Sequence, residues 1–179
     1  AGTRQQLDGV LALDPSALSA VLTATGPVSA PVVGAVGADT VVDLVLLDQY
    51  RRPDLAAQRK KLMLGVGVQA MQAVLGRRAD ARILLPALRD SAAAGHVLLY
   101  SRDRSEQAAL VRSGVSGAVW DGSGPFAQAV VVNAAGSKLD TWLEQSLSYR
   151  VDTCTPTGRQ VTVSVGLVNG APRSGLPAY

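Results

Sequence analysis

The chain has 179 residues, 47% hydrophobic, 4% aromatic and 17% charged, with a formal net charge of +3. That length can bury a sizeable core, and a charged fraction below the usual ~25% implies large buried faces, a greasy groove or packing against something else. One cysteine, Cys154, and one histidine, His96, exclude an internal disulfide and a Cys- or His-based metal cage, while basic clusters without interleaved aromatics argue against nucleic-acid binding.

Gly9–Leu13 reads as a short buried strand that stops at Asp14-Pro15, where Asp14 caps a helix and Pro15 takes its first position. Leu18, Val21 and Leu22 carry helical spacing to Thr25, and Gly26-Pro27 ends it. Residues 28–36 read as irregular or as a short strand, broken by Pro31 and Gly34. Asp39 stands as the cap of a helix running to about Tyr50, with Val41, Val42, Leu44, Val45 and Leu47 as its apolar face.

Pro53-Asp54 opens a longer helix whose Leu55, Leu62, Val66, Ala70 and Val74 share one face, widened by Leu64, Val68, Met71 and Leu75. This helix is expected to be largely buried past its first two turns. Gly65 and Gly67 each cost up to about 1 kcal/mol relative to alanine and read as points of close approach. A fourth helix is expected near Asp80 to Ala94, kinked or shifted in its start by Pro86. A strand follows at His96–Tyr100, and a short helix at Ser105–Ser113.

After Gly114 the texture changes. Gly117, Gly122, Gly124 and Pro125 form a loop, and residues 127–132 read as a strand. From Leu139 through Val151 the odd positions are mostly apolar, the period of a half-buried strand. Thr155-Pro156-Thr157-Gly158 turns the chain, and Val161, Val163, Val165 and Leu167 repeat the pattern. Such a hairpin must cover something with its greasy face.

Candidate chemistry concentrates in Tyr50–Lys61, which places five cations and one carboxylate within a dozen residues. A helix start presents unpaired N–H groups and a positive dipole end, so Arg51, Arg52, Asp54, Arg59 and Lys60 could hold a phosphate or pyrophosphate. Arginine suits this because its planar fork grips phosphate oxygens in pairs. The plainer reading is a solvated helix start with Asp54 as cap. Asp39, Asp43 and Asp48 could supply oxygens for Mg²⁺, or merely cap and solvate. His96 reads as a core or strand-end histidine, Ser137-Lys138 as a nucleophile pair or a turn, and Cys154 as a free thiol.

Asp8-Gly-Val-Leu-Ala-Leu-Asp14-Pro15, Ala24-Thr25-Gly26-Pro27-Val28, Asp48-Gln49-Tyr50, His96-Val-Leu-Leu-Tyr100, Asn133 to Asp140 and Gly175 to Tyr179 together resemble the domain of unknown function 4012 family of actinobacterial envelope proteins. The strand–Asp–helix–Gly-Pro-Val segment and the Arg-rich, Asp-containing helix start are also distantly similar to LytR-CpsA-Psr proteins, which move glycopolymers from polyprenyl-pyrophosphate carriers onto the cell wall. That likeness implies an α/β sandwich core, with Arg51 or Arg52, Asp54 and Arg59 facing a pyrophosphate and the helices at 39–50 and 54–75 flanking the lipid. The arginine–aspartate spacing is compressed here, and Lys60 stands where that signature has glutamine.

The expected layout is an α/β core over residues 1–116, the C-terminal part of a longer domain, with a β-rich hairpin extension over 117–179 packed on it. The expected function is binding of a polyprenyl-(pyro)phosphate-linked or other anionic envelope glycoconjugate, assisting its transfer; the alternative is a non-catalytic scaffold using the hairpin 139–168. Any catalysis would be phosphotransferase-type glycopolymer transfer, for which this chain lacks the upstream half that would partner it. The resemblance implies an extracytoplasmic, membrane-anchored protein of the cell envelope; no apolar run of about 18 residues is present, so the anchor is expected in a segment outside the chain.

Overall fold

Asp14 begins the first helix by accepting a 2.9 Å hydrogen bond from the Ala17 backbone N–H, with Pro15 at the first helical position. In the computed structural model, which describes residues 6–76, 78–119, 122, 124–134 and 138–176, the chain divides into two units, Ala1–Val119 and Trp120–Tyr179.

The first unit runs β1 (Gly9–Leu13), α1 (Pro15–Thr25), β2 (Val28–Ala30), β3 (Gly34–Val36), α2 (Val41–Asp43), a π-helical turn (Leu44–Asp48), α3 (Gln49–Arg51), a 3-10 turn (Pro53–Leu55), α4 (Arg59–Leu75), α5 (Ala81–Ala93), β4 (Val97–Ser101) and α6 (Arg104–Ser113). β1 pairs antiparallel with β4, Leu11 opposite Leu99, and β2 with β3, Val28 opposite Val36. The segment 28–36 is therefore a small hairpin. The unit mixes helices with small antiparallel sheets, the mixed α/β character expected. Its core is aliphatic: Leu22, Val36, Val41, Leu55 and Val66 are almost fully buried, and Val21, Leu62, Ala70 and Leu84 join them.

Several local expectations are corrected. The long helix starts at Arg59, not at Pro53. Leu55 is completely buried, and the tight Pro53–Leu55 turn that seats it is followed by turn residues before Gln58 begins α4. Asp39 does not cap the helix that follows it; Thr40 occupies that position, its hydroxyl engaged with Gly37. That helix also widens into a π turn, where the buried Gln49 donates its side-chain amide to the Val45 carbonyl. Helix α4 is buried along Leu62, Val66, Ala70 and Ala73 but exposes Leu64, Val68, Met71 and Leu75. A Cβ built on Gly65 or Gly67 meets no atom within 4 Å, so neither is a point of close approach.

Helix α5 tolerates Pro86 within its span and is capped by Asp80, which accepts from the Arg82 N–H at 2.9 Å. Asp103 caps α6 and Gly114 ends it at φ 80, where glycine carries no Cβ penalty. The Ser105 hydroxyl and the N–H groups of Ser105 and Glu106 hold the Asp103 carboxyl below its ordinary range. Its contribution is thus present above the unfolded pKa and is lost as pH falls through the folded one.

The second unit carries a 3-10 turn (Leu139–Trp142) and the long hairpin β5 (Leu143–Thr155) and β6 (Gly158–Asn169). Leu147 faces Val165, Tyr149 faces Val163 and Val151 faces Val161, with a register shift between Val151 and Thr153. The described residues of 127–132 form no strand, contrary to expectation. The apolar run there finds no ladder partner, although Ala129 accepts a hydrogen bond from Gln145 at 3.0 Å. No described residue of this unit is buried.

Leu22, 1% exposed, sits where α1 meets the aliphatic core. Leu22→Ala is expected to lower unfolding free energy by about 3 kcal/mol through lost burial and a residual cavity. Urea denaturation followed by circular dichroism measures it, and a loss below about 1 kcal/mol would contradict this account of the core.

Candidate functional site: an apolar groove beside a cationic pocket

The first unit holds an apolar groove of about 690 Å³, within the range of sites for drug-sized ligands. Its walls come from β1 and β4 through Leu11, Leu13, Val97 and Leu99, and from α1 through Leu18 and Val21. The π turn adds Val45, and α5 adds Leu88 and Ala92. Period-2 alternation puts Leu11 and Leu13 on one face of β1, and the antiparallel register places Leu99 and Val97 beside them. Helix α4 supplies Met63, Gly67, Ala70, Met71 and Val74. Met63 and Met71 are the chain's only methionines, and their flexible thioethers adapt to irregular apolar shapes. Gly67 leaves open space where any side chain would intrude.

Polar groups in this lining are confined to Asp14 and Arg89. Arg89 pairs with its neighbour Asp90 at 2.8 Å. Asp14 uses its second oxygen to contact His96 Nδ1 at 2.6 Å, and the Asp14 N–H donates to the His96 carbonyl at 3.2 Å. The β1–α1 and α5–β4 junctions are thus joined by one side-chain and one backbone bond. His96 stands just before its strand and is partly exposed. The strand-end reading is correct, but its partner lies 82 residues away and no local pattern announces it.

A second, shallower pocket opens beside the groove, lined by Gln49, Tyr50, Ala56, Ala57, Arg59, Lys60 and Met63. Met63 lines both cavities. The Arg59 guanidinium lies 5.0 Å from the Tyr50 ring centroid, a cation–π contact that fixes the charge at the pocket wall. Arg59 Nε is buried without a hydrogen-bond partner, an uncommon state for a buried donor. The first turn of α4 holds Arg59, Lys60 and Lys61 and no acid. That is the reverse of what the helix dipole favours.

Of the five residues expected from the sequence, the structure brings Arg59 and Lys60 to this pocket and leaves Arg51, Arg52 and Asp54 out of its lining. Arg51 is exposed. Arg52 and Asp54 form an exposed ion pair at 2.7 Å. The hydrogen bond from Arg52 holds the Asp54 carboxyl below its ordinary range and raises the Arg52 guanidinium. Asp39, Asp43 and Asp48 do not converge: among the described residues no three His, Cys, Asp or Glu side chains gather where a metal could be held. Ser137 lies outside the described residues, and Cys154 is exposed on β5. The groove itself escaped sequence reading, because its residues also satisfy the pattern of an ordinary core.

Asp14→Ala removes a helix cap and the His96 contact together. It is expected to cost about 1 kcal/mol, the usual magnitude for a lost cap, while His96→Ala alone leaves the cap and costs less. Thermal unfolding of the two variants separates these terms; equal losses would show that the cap contributes nothing.

No curated protein and no solved structure matches the chain. Residues 1–50 match a family described as protein of unknown function (DUF4012). The match takes in β1, Asp14, α1 and the helical segment up to Tyr50, whereas Arg59, Lys60 and most of the groove's α4 wall lie beyond it. The resemblance expected from the sequence motifs is borne out over this opening segment, where residues 1–50 of the 179 are similar to the DUF4012 family.

Proposed function

We propose that this chain binds an anionic amphiphile of the cell envelope, a polyprenyl-(pyro)phosphate-linked glycoconjugate, and assists transfer of its glycan. The observation that carries the reading is the junction at Met63, where an apolar groove of about 690 Å³ meets the pocket of Arg59 and Lys60. Hydrocarbon would occupy the groove. Phosphate oxygens would reach Arg59 and Lys60, giving the orphaned Arg59 Nε an acceptor and offsetting the cations of the α4 first turn. Exposed Arg51 would lie among the cations that draw the headgroup in. The groove takes the head-proximal part of a long isoprenoid, and the rest of the chain would stay in the bilayer.

The distant similarity to LytR-CpsA-Psr proteins supports the same ligand class, and with it an extracytoplasmic setting and an α/β sandwich completed by upstream sequence. No helix among the described residues is long and apolar enough to cross a membrane. Anchoring would come from outside this chain.

Binding of a polyprenyl phosphate in detergent micelles, followed by calorimetry, tests the reading. Arg51→Ala with Arg59→Ala is expected to weaken binding about tenfold or more, since a charge-assisted hydrogen bond contributes roughly 1.5–3 kcal/mol. Gly67→Leu is expected to block the groove and weaken binding similarly, with little change in phosphate-only affinity. Unchanged affinity in both variants would sink the proposal.

A second reading has its own observation. The β5–β6 hairpin carries Leu147, Tyr149 and Val151 opposite Val165, Val163 and Val161, all exposed. A two-stranded ribbon by itself is marginally stable, so an interaction module covering this face is the alternative. Val163→Lys is then expected to abolish concentration-dependent association in sedimentation velocity; a monomer at every concentration, with or without the substitution, removes the self-association form of this reading.

A further inference from the structure

Helix α4 is apolar on the side that should be wet. Its buried face runs along Leu62, Val66 and Ala73. On the opposite face Leu64, Val68, Met71 and Leu75 follow at spacings of four, three and four residues, which keeps them in one line along the helix. Leu64 is 66% and Leu75 74% exposed. An ordinary surface helix places charged or polar residues there.

The polar surroundings of this line are one-sided. Lys60 and Lys61, one turn before Leu64, fall on either side of the line at the helical angle of ~100° per residue. No acid occurs anywhere in α4. Met71 belongs to both the exposed line and the groove wall, and Gly67 beside it opens the groove toward the same face. The exposed line and the groove are therefore one continuous apolar surface.

We infer that α4 is a docking face for an anionic lipid surface, with Leu64, Val68, Met71 and Leu75 entering the interface and Lys60 and Lys61 meeting the headgroups. Interfacial helices combine such features: an apolar face that enters the headgroup–acyl boundary and cations that add attraction to anionic lipid. Charge complementarity selects this occupant. A helix with three cations and no acid at its first turn suits an anionic plane, whereas a second copy laid parallel would set lysine against lysine. Continuity with the groove gives the docking a purpose, since a lipid leaving the bilayer would pass Met71 without crossing water. The inference stands whether or not the groove holds a polyprenyl phosphate.

The test is flotation of the 179-residue chain with vesicles of phosphatidylglycerol and phosphatidylcholine, against vesicles of phosphatidylcholine alone, both free of polyprenyl lipid. The chain is expected to float with the anionic vesicles and to be released by salt. Leu64→Gln with Leu75→Gln should reduce the bound fraction at least tenfold. Lys61→Gln should reduce affinity about fivefold, the equivalent of roughly 1 kcal/mol for one lysine at an anionic surface. None of these three residues lines the groove or the cationic pocket, so their effects are separable from ligand binding. Circular dichroism checks that the variants stay folded. Equal flotation with both vesicle types, or none with either, overturns the inference. So does vesicle-independent self-association that Leu64→Gln with Leu75→Gln abolishes, because the face would then be covered by protein.

Discussion

The aliphatic contact of α1 with α4 and α5 governs the first unit. Leu22, Val66 and Leu84 belong to one buried cluster, and small aliphatic side chains bring these helices together without an aromatic spacer. Such a core is stabilised by area removed from water and by dense packing rather than by polar specificity. It also leaves gaps. The groove opens between α1, α4, α5 and the β1–β4 ribbon. The Asp14–His96 bonds close one end of that ribbon, where β1 passes into α1 and α5 into β4.

Helix α4 meets three environments at once. One face packs in the core, a second lines the groove, and a third carries the exposed line from Leu64 to Leu75. A helix that is hydrophobic nearly all round ordinarily belongs in the middle of a large core or a membrane. In this chain it forms a boundary, which accounts for Gly67. Gly65 and Gly67 weaken the helix intrinsically and have no neighbour to accommodate, but Gly67 keeps the groove open. The cation-rich first turn of α4 follows the same logic, being unfavourable for the isolated helix and useful for meeting an anion.

Much of the framework was legible locally. Asp14-Pro15, Asp80 and Gly114 mark helix ends through caps that need only neighbouring atoms, and the period-2 pattern of 143–167 announces β5 and β6. The misreadings share a cause. Pro53-Asp54 has the chemistry of a helix start, but burial of Leu55 requires a tight turn there, and the helix waits until Arg59. Residues 127–132 have the composition of a strand, but a strand exists only where a partner supplies the ladder. Propensity states what a segment can do; neighbours distant in sequence decide between the options.

The candidate site divides along the same line. The sequence by itself determined the family resemblance of the opening segment, the cation cluster from Arg51 to Lys61 and the apolar periodicity of α4, because each is carried by adjacent residues or by one repeat. Only the tertiary structure decided that Arg59 and Lys60 share a pocket while Arg52 turns to Asp54, that His96 meets Asp14, and that Met63 joins two cavities. Above all it decided which apolar residues are core and which form an open wall. Hydrophobic periodicity is the same for a face that packs against protein and for one that awaits a ligand or a membrane, and only the presence of neighbouring atoms tells them apart.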